Sequence, residues 1–297
     1  MRTPRPAALL LGTAVALGAT ALTAGQASAI NSYNASPAPE RTETGAFVAL
    51  WDRTDDGVAD RLDWVCSGTM IDADTYLTAA HCTDDWPAGT RFFVSLEQDV
   101  QALFDTTSGT PDEQAATLLA AGKLVEGDTF QDAAYPGTAS DSHDIGVIDF
   151  AARSVTPADV WDFVPATLPA AGALDALGSR ALDAAEWTVA GYGTQEAVRQ
   201  PGGQTHPGGG VRLKAPVDFD ALNKTWVRLA MTAPQGNGGA CYGDSGGPNF
   251  VELDGELVLA ATTITGDTPC YATNVAYRLD SPSARAFLEP FVTLPGR

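Results

Sequence analysis

Positive charge is scarce in this chain. Seventeen Lys and Arg stand against 37 Asp and Glu over 297 residues, a formal net charge of −20. A surface this acidic repels phosphate backbones, which excludes nucleic acid as a partner. Its general effects are solubility and an attraction for cationic molecules. Histidine is scarcer still: His81, His143 and His206 are the whole supply, and they are scattered. No pair among the four cysteines has CxxC spacing, so no metal site is expected. The acids of Thr83–His143 do not follow a calcium-loop spacing either, and no motif implies a cofactor. Beyond the first two dozen residues, no apolar run is long enough to span a bilayer.

The exception is the N-terminus. Met1–Pro6 carries two arginines and no acid, Ala7–Ala24 is apolar, and Ala27-Ser28-Ala29 supplies a small-residue cleavage site. That order is a secretory signal peptide over residues 1–29. The mature protein is then expected outside the cell, with no membrane attachment. Export also changes the meaning of the cysteines, because an even number in a secreted chain implies disulfides. Three pairings are open. Cys66–Cys82 and Cys241–Cys270 are favoured because each closes a local loop.

Hydrophobic residues make up 44% of the chain and charged residues 18%, with 30 Gly and 19 Pro. This suits a β-rich, loop-rich protein of two modest domains. Short apolar or β-branched runs recur at Phe47–Trp51, Val65–Ile71, Phe92–Leu96, Ile145–Phe150, Trp187–Tyr192, Trp226–Met231, Leu257–Ile264 and Asn274–Leu279. Gly, Pro, Asp and Asn separate them, the pattern of an all-β fold. A short helix is expected at Pro111–Leu119. Pro165–Ala185 reads as the link between two halves, and the Gly/Pro-dense Gln200–Gly210 as a surface loop. Ser281–Val292 reads as a C-terminal helix capped by Ser281 with Pro282 in its first turn.

Two blocks carry chemistry: Thr78-Ala79-Ala80-His81-Cys82 and Gly243-Asp244-Ser245-Gly246-Gly247-Pro248. Between them Asp144 leads the apolar run Ile145–Ile148. A serine hydroxyl needs a base within hydrogen-bond reach, and the base needs an orienting partner. Histidine titrates near neutral pH. A buried carboxylate holds its tautomer and stabilises the imidazolium. Glycines beside the serine let backbone N–H groups approach a substrate carbonyl. Singly, each residue has an ordinary reading as a turn, a packed ring or a strand cap; the three together do not. The Gly243-x-Ser245-x-Gly247 spacing also fits the nucleophile elbow of α/β-hydrolases. Those enzymes place the histidine after the serine, and here no histidine follows Ser245.

These blocks, in this order, resemble the trypsin/chymotrypsin-like secreted serine peptidases over nearly the whole mature chain. The resemblance implies two antiparallel six-stranded β-barrels with a C-terminal helix. The N-terminal barrel (residues 30–165) would hold His81 and Asp144, and the C-terminal barrel (166–297) Ser245. It implies a catalytic triad of His81, Asp144 and Ser245, an oxyanion hole from the N–H groups of Gly243 and Ser245, protein or peptide substrates, and a monomer. Both favoured cysteine pairs match common family bridges. In the family, a new Ile or Val N-terminus pairs with the Asp before the nucleophile. Cleavage after Ala29 would supply Ile30 to Asp244, although Asn31-Ser32 stand where two glycines are usual. Six residues before the nucleophile, trypsin-like members carry an Asp; here it is Gly239, so cleavage after uncharged rather than basic residues is expected. The segment Thr263-Ile264-Thr265-Gly266 would form a pocket wall, and the Gly266 backbone would pair with extended substrate. Asn274 replaces a wall glycine, and Ile264 replaces a serine that helps hold the catalytic Asp. A catalytically silent homologue acting as a binding protein is the alternative; retention of all three triad residues argues against it.

Overall fold

The computed structural model describes residues 30–253 and 255–296. The expected signal peptide, 1–29, lies outside the described residues. A two-residue strand, β1 (Ser36–Pro37), opens the fold and pairs with a strand of the second half, at Leu213 and Lys214. Six strands then close a barrel: β2 (Thr44–Trp51), β3 (Arg61–Met70), β4 (Thr75–Thr78), β5 (Arg91–Ser95), β6 (Val125–Gln131) and β7 (Gly146–Asp149), in the spatial order β2-β3-β4-β7-β6-β5. All pairings are antiparallel.

Side chains along a strand alternate between two faces, and β2 shows both faces in use. Phe47 points into the barrel core with Met70, Tyr76, Val94 and Ile148. Ala46, Val48 and Leu50 pack outside it, under two helices inserted between β5 and β6, α1 (Val100–Thr106) and α2 (Pro111–Ala120). This is why β2 is an almost continuous apolar run. The expected helix at Pro111–Leu119 is α2. Thr110 caps it in a reciprocal capping box with Glu113, and Pro111 occupies its first turn. Sequence patterning passed over α1, which starts at the Asp99 cap.

A short helix, α3 (Pro157–Val160), precedes the link between the halves, and the link itself carries α4 (Ala173–Leu177) and α5 (Ser179–Ala184). The second barrel is built from β8 (Trp187–Gly191), β11 (Leu213–Leu222), β12 (Trp226–Ala230), β13 (Pro248–Leu253), β14 (Glu256–Gly266) and β15 (Thr273–Arg278); β8 closes it by pairing with both β11 and β13. The glycine-rich segment is not loop throughout: β9 (Val198–Gln200) and β10 (Gly203–Thr205) pair as a small hairpin. The chain ends in α6 (Pro282–Leu288), where the Ser281 hydroxyl accepts the Ala284 N–H. Ala284 and Leu288 pack with Leu77 and Val147 of the first barrel and Leu259 of the second. The two six-stranded barrels with a C-terminal helix are the architecture the motifs implied.

Arg212 lies in the seam between the barrels and is 3% exposed. Its guanidinium donates to the carbonyls of Ala38, Thr44 and Leu96 and to the Tyr192 hydroxyl, at 2.9–3.1 Å. Those acceptors belong to the N-terminal segment, to the start of β2, to the end of β5, and to the end of β8. One side chain therefore joins four chain segments. In a Ser245→Ala background, Arg212→Met is expected to cost about 2–4 kcal/mol of unfolding free energy in urea, because buried carbonyls lose their donor. A loss below about 1 kcal/mol, within the range of one ordinary hydrogen bond, would show that the seam does not rest on this residue.

Candidate active site

His81 sits in a 3-10 turn (Ala80–Cys82) directly after β4, and Asp144 stands just ahead of β7. Because β4 and β7 pair, with Thr78 opposite Gly146, residues 63 positions apart meet at the same barrel end. His81 Nδ1 lies 2.9 Å from Asp144 Oδ2 and 3.2 Å from Oδ1, and the His81 backbone N–H donates to Oδ1 at 3.0 Å. The carboxylate is buried while the ring is partly open. Ile264 lies at a register break in β14 and packs against apolar side chains. Among the described residues, only His81 hydrogen-bonds the Asp144 carboxylate.

Ser245 comes from the turn before β13, on the other barrel. Its Oγ makes no hydrogen bond among the described residues, yet it lines the same cavities as His81. A nucleophile–base contact is commonly loose before substrate binds. Ser67 of β3 holds this turn. Its N–H donates to the Ser245 carbonyl at 2.9 Å, its Oγ donates to the Gly243 carbonyl at 2.8 Å, and the same Oγ accepts the Tyr192 N–H. Gly243 has φ +92°, and a Cβ there would stand 2.4 Å from the Trp64 ring, so no other residue fits. Neither Gly243 N–H nor Ser245 N–H has an acceptor among the described residues. Two adjacent free donors beside a serine hydroxyl can receive an oxyanion.

Asp244 is wholly buried. Its carboxylate accepts the N–H groups of Gly193 and Cys241 at 2.8 and 2.9 Å. A Cβ at Gly191 or Gly193 would collide with it. Burial pushes its pKa up to about 7, against the pull of those two hydrogen bonds. No cation lies within ion-pair distance among the described residues. Ile30 is also fully buried, in the core of the second barrel with Met231 and Ala240. It adopts φ +65°, and the Asn31 N–H donates to the Gly239 carbonyl at 2.9 Å.

A cavity of about 360 Å³ opens beside Ser245, lined by Ala240, Thr263–Gly266 and Asn274 among others. Thr265, Gly266 and Asn274 are therefore at the cavity. Gly239 is not among its lining residues: it is buried behind, where Met231 fills the space a side chain at 239 would take. On the other side of Ser245, a wider cleft of about 670 Å³ includes Trp51, Trp86, Asp84 and Asp85. His143 contacts Asp132 at 2.8 Å. His206 stacks edge-on against Tyr242.

Cys66 joins Cys82, and Cys241 joins Cys270. The two groups whose atoms converge as metal ligands, Cys66/His81/Cys82 and His206/Cys241/Cys270, each contain a disulfide, whose sulfurs are not thiolates. Sequence reading overlooked the β2–β3 hairpin, where Asp52, Thr54, Asp56, Asp60 and Asp63 around Gly57 have a calcium-loop spacing. The Asp52 carboxylate is spent on the loop's own N–H groups at Thr54, Asp55 and Gly57, and no three of these acids converge. It also missed Ser67, Trp64 and Asn249, which carry no local motif.

Two closed six-stranded barrels with a histidine–carboxylate pair on one and a glycine-flanked serine on the other form a chymotrypsin-type serine peptidase architecture. A protein-family model described as Trypsin matches residues 41–280, and the chain belongs to that family. No curated protein matches the chain. The family match begins after Ile30 and ends before α6.

Ser67→Ala is expected to slow labelling of Ser245 by a serine-directed fluorophosphonate about tenfold, equivalent to roughly one lost hydrogen bond, with the circular dichroism spectrum unchanged. An unchanged labelling rate would show that Ser67 does not position the nucleophile.

Proposed function

We propose that the protein is a secreted serine endopeptidase. Ser245 Oγ attacks the scissile carbonyl carbon while His81 takes its proton, and Asp144 orients the ring and stabilises the imidazolium. The oxyanion is received by the N–H groups of Gly243 and Ser245. His81 then gives the proton to the leaving amine, the C–N bond breaks, and an acyl-enzyme on Ser245 remains. Water, deprotonated by His81, releases the acid and restores the serine. The observation that carries this reading is the pair of free N–H groups beside Ser245, facing a His81–Asp144 contact across one cleft. Thr265 and Gly266 offer backbone to an extended substrate, and the cavity takes an uncharged side chain. No helix among the described residues is long and apolar enough to cross a membrane.

Protein purified after expression of the full chain is expected to hydrolyse casein, and Ser245→Ala to lower kcat by on the order of a million-fold. If the parent protein neither cuts casein nor takes a fluorophosphonate label, the silent binding homologue replaces this reading.

Removal of residues 1–29 completes the site in this proposal: the Ile30 ammonium becomes the counter-charge for Asp244. Two features support it. Asp244 is a buried carboxylate without a cation. Ile30, a β-branched residue, is held at positive φ, a strained conformation for such a side chain, and cutting the peptide bond before it abolishes that torsion. Asp244 has a folded pKa of about 7 against an ordinary 3.8. While the bond is intact, its contribution is fully present below pH 3.8 and is lost as pH rises through 7. The loss is on the order of 4 kcal/mol. Urea unfolding of Ser245→Ala protein at pH 5 and pH 8 should show about 3 kcal/mol of this loss in the chain with residues 1–29 and much less in the chain starting at Ile30. Other acids are common to both forms, so equal pH dependence would reject the pairing.

A further inference from the structure

Three buried polar side chains near the cavity have no part in the chemistry above. Asn249 and Asn274 are 0% exposed and Thr263 is 3% exposed; Thr263 and Asn274 line the cavity beside Ser245. Asn249 Nδ2 faces the Ala261 carbonyl at 3.4 Å and Thr263 Oγ1 at 2.9 Å. A carbonyl can only accept, so the Asn249 amide must turn its NH₂ that way. Its Oδ1 then faces Asn274 and accepts from Asn274 Nδ2 at 2.7 Å. This settles the orientation of Asn274: its NH₂ is used, and its Oδ1 is buried with no partner among the described residues. Thr263 is settled too. Its oxygen accepts from Asn249, and among the described residues its proton has no acceptor. Thr263 and Asn274, bonded to the two ends of one carboxamide, thus hold an unused donor and an unused acceptor.

An unpaired buried acceptor costs about 1–3 kcal/mol, and such a group in a binding cavity calls for a ligand that pairs it. We propose that Asn274 Oδ1 and the Thr263 hydroxyl read a primary carboxamide, so that this enzyme cleaves after glutamine and asparagine. The substrate NH₂ donates to Asn274 Oδ1, and the substrate carbonyl accepts from Thr263. A glutamate side chain would set oxygen against oxygen at Asn274. A lysine would offer no acceptor to the Thr263 hydroxyl, and the carboxylate of Asp267, also at the cavity, is already held by the N–H groups of Tyr271, Ala272 and Thr273. A hydrocarbon side chain of the same size leaves both groups unpaired, a strong basis for rejection. The inference rests on the peptidase reading above.

The test uses protein purified after expression of the full chain and peptides that differ only in the residue before the scissile bond: Gln, Asn, Met, Leu, Glu and Lys. The kcat/KM for Gln is expected to exceed that for the near-isosteric Met and Glu by about tenfold or more. Asn274→Leu and Thr263→Val should each lower the Gln/Met ratio, the first towards one. Should a variant fail to fold, the ratio in the parent protein still decides. Equal or better cleavage after Met or Leu, with casein hydrolysis and fluorophosphonate labelling intact, would overturn the carboxamide proposal and leave the peptidase reading standing. An unchanged ratio in folded Asn274→Leu would overturn the assignment to Asn274. If no peptide is cut and no label is taken, the peptidase reading fails and this proposal falls with it.

Discussion

The geometry of the cleft hangs on β3. Ser67 bonds through its N–H and its hydroxyl to the carbonyls of Ser245 and Gly243, so the Ser245 turn is fastened to the first barrel as well as to its own, where Gly246 and Gly247 bond to β14. Its neighbour Cys66 is joined covalently to Cys82, next to His81, and the Ser67 carbonyl accepts the Thr78 hydroxyl at the end of β4. His81 and Ser245 are thus both referred to two adjacent residues of one strand. Without that link, each barrel could close on its own and still leave the two side chains unregistered. Catalysis depends on relative placement to within a fraction of an ångström, which neither barrel can supply alone.

Burying polar groups is the recurrent cost of this arrangement. Arg212 is offset by three carbonyls and a phenol. Arg278, 1% exposed, is offset by Asp280 at 2.8 Å, which in turn accepts the Leu174 N–H and anchors the link between the barrels. Asp244 is the uncompensated case. Two N–H donors soften its desolvation, but burial dominates, and its carboxyl is held near neutrality on the pH scale. A buried acid left short of a cation is a poor stabiliser and a good switch. Under the proposed removal of residues 1–29, this gives a physical reason for the two forms to differ without any rearrangement of the barrels.

Much of this was legible in the linear order of residues. The eight apolar runs became strands because each alternates or runs continuously with the burial of its faces. The caps at Thr110 and Ser281 are local chemistry and marked their helices correctly. Strand β11, by contrast, hid its period-two pattern of Leu213, Ala215 and Val217 behind Lys214, Pro216 and Asp218. Strand β6 (VEGDTFQ) has too few apolar residues to register as a strand and exists through its pairing with β5 and β7. Gly239 matches the position of a specificity-setting Asp by its distance to Ser245 along the chain, yet it lies behind the cavity, where Met231, from another segment, occupies the space of a side chain.

The sequence by itself determined the class of chemistry, since histidine, aspartate and serine in those short contexts serve few other purposes, and it determined which cysteines lie close enough to bridge locally. Only the tertiary structure decided what surrounds them: Ser67 beneath the nucleophile, a glycine socket around Asp244, and the Asn249 carboxamide orienting Asn274 and Thr263. The reason is range. Motif chemistry is written in neighbouring residues. Hydrogen-bond satisfaction and excluded volume in a barrel core act between residues far apart in the chain, and nothing local in the sequence records which of them will meet.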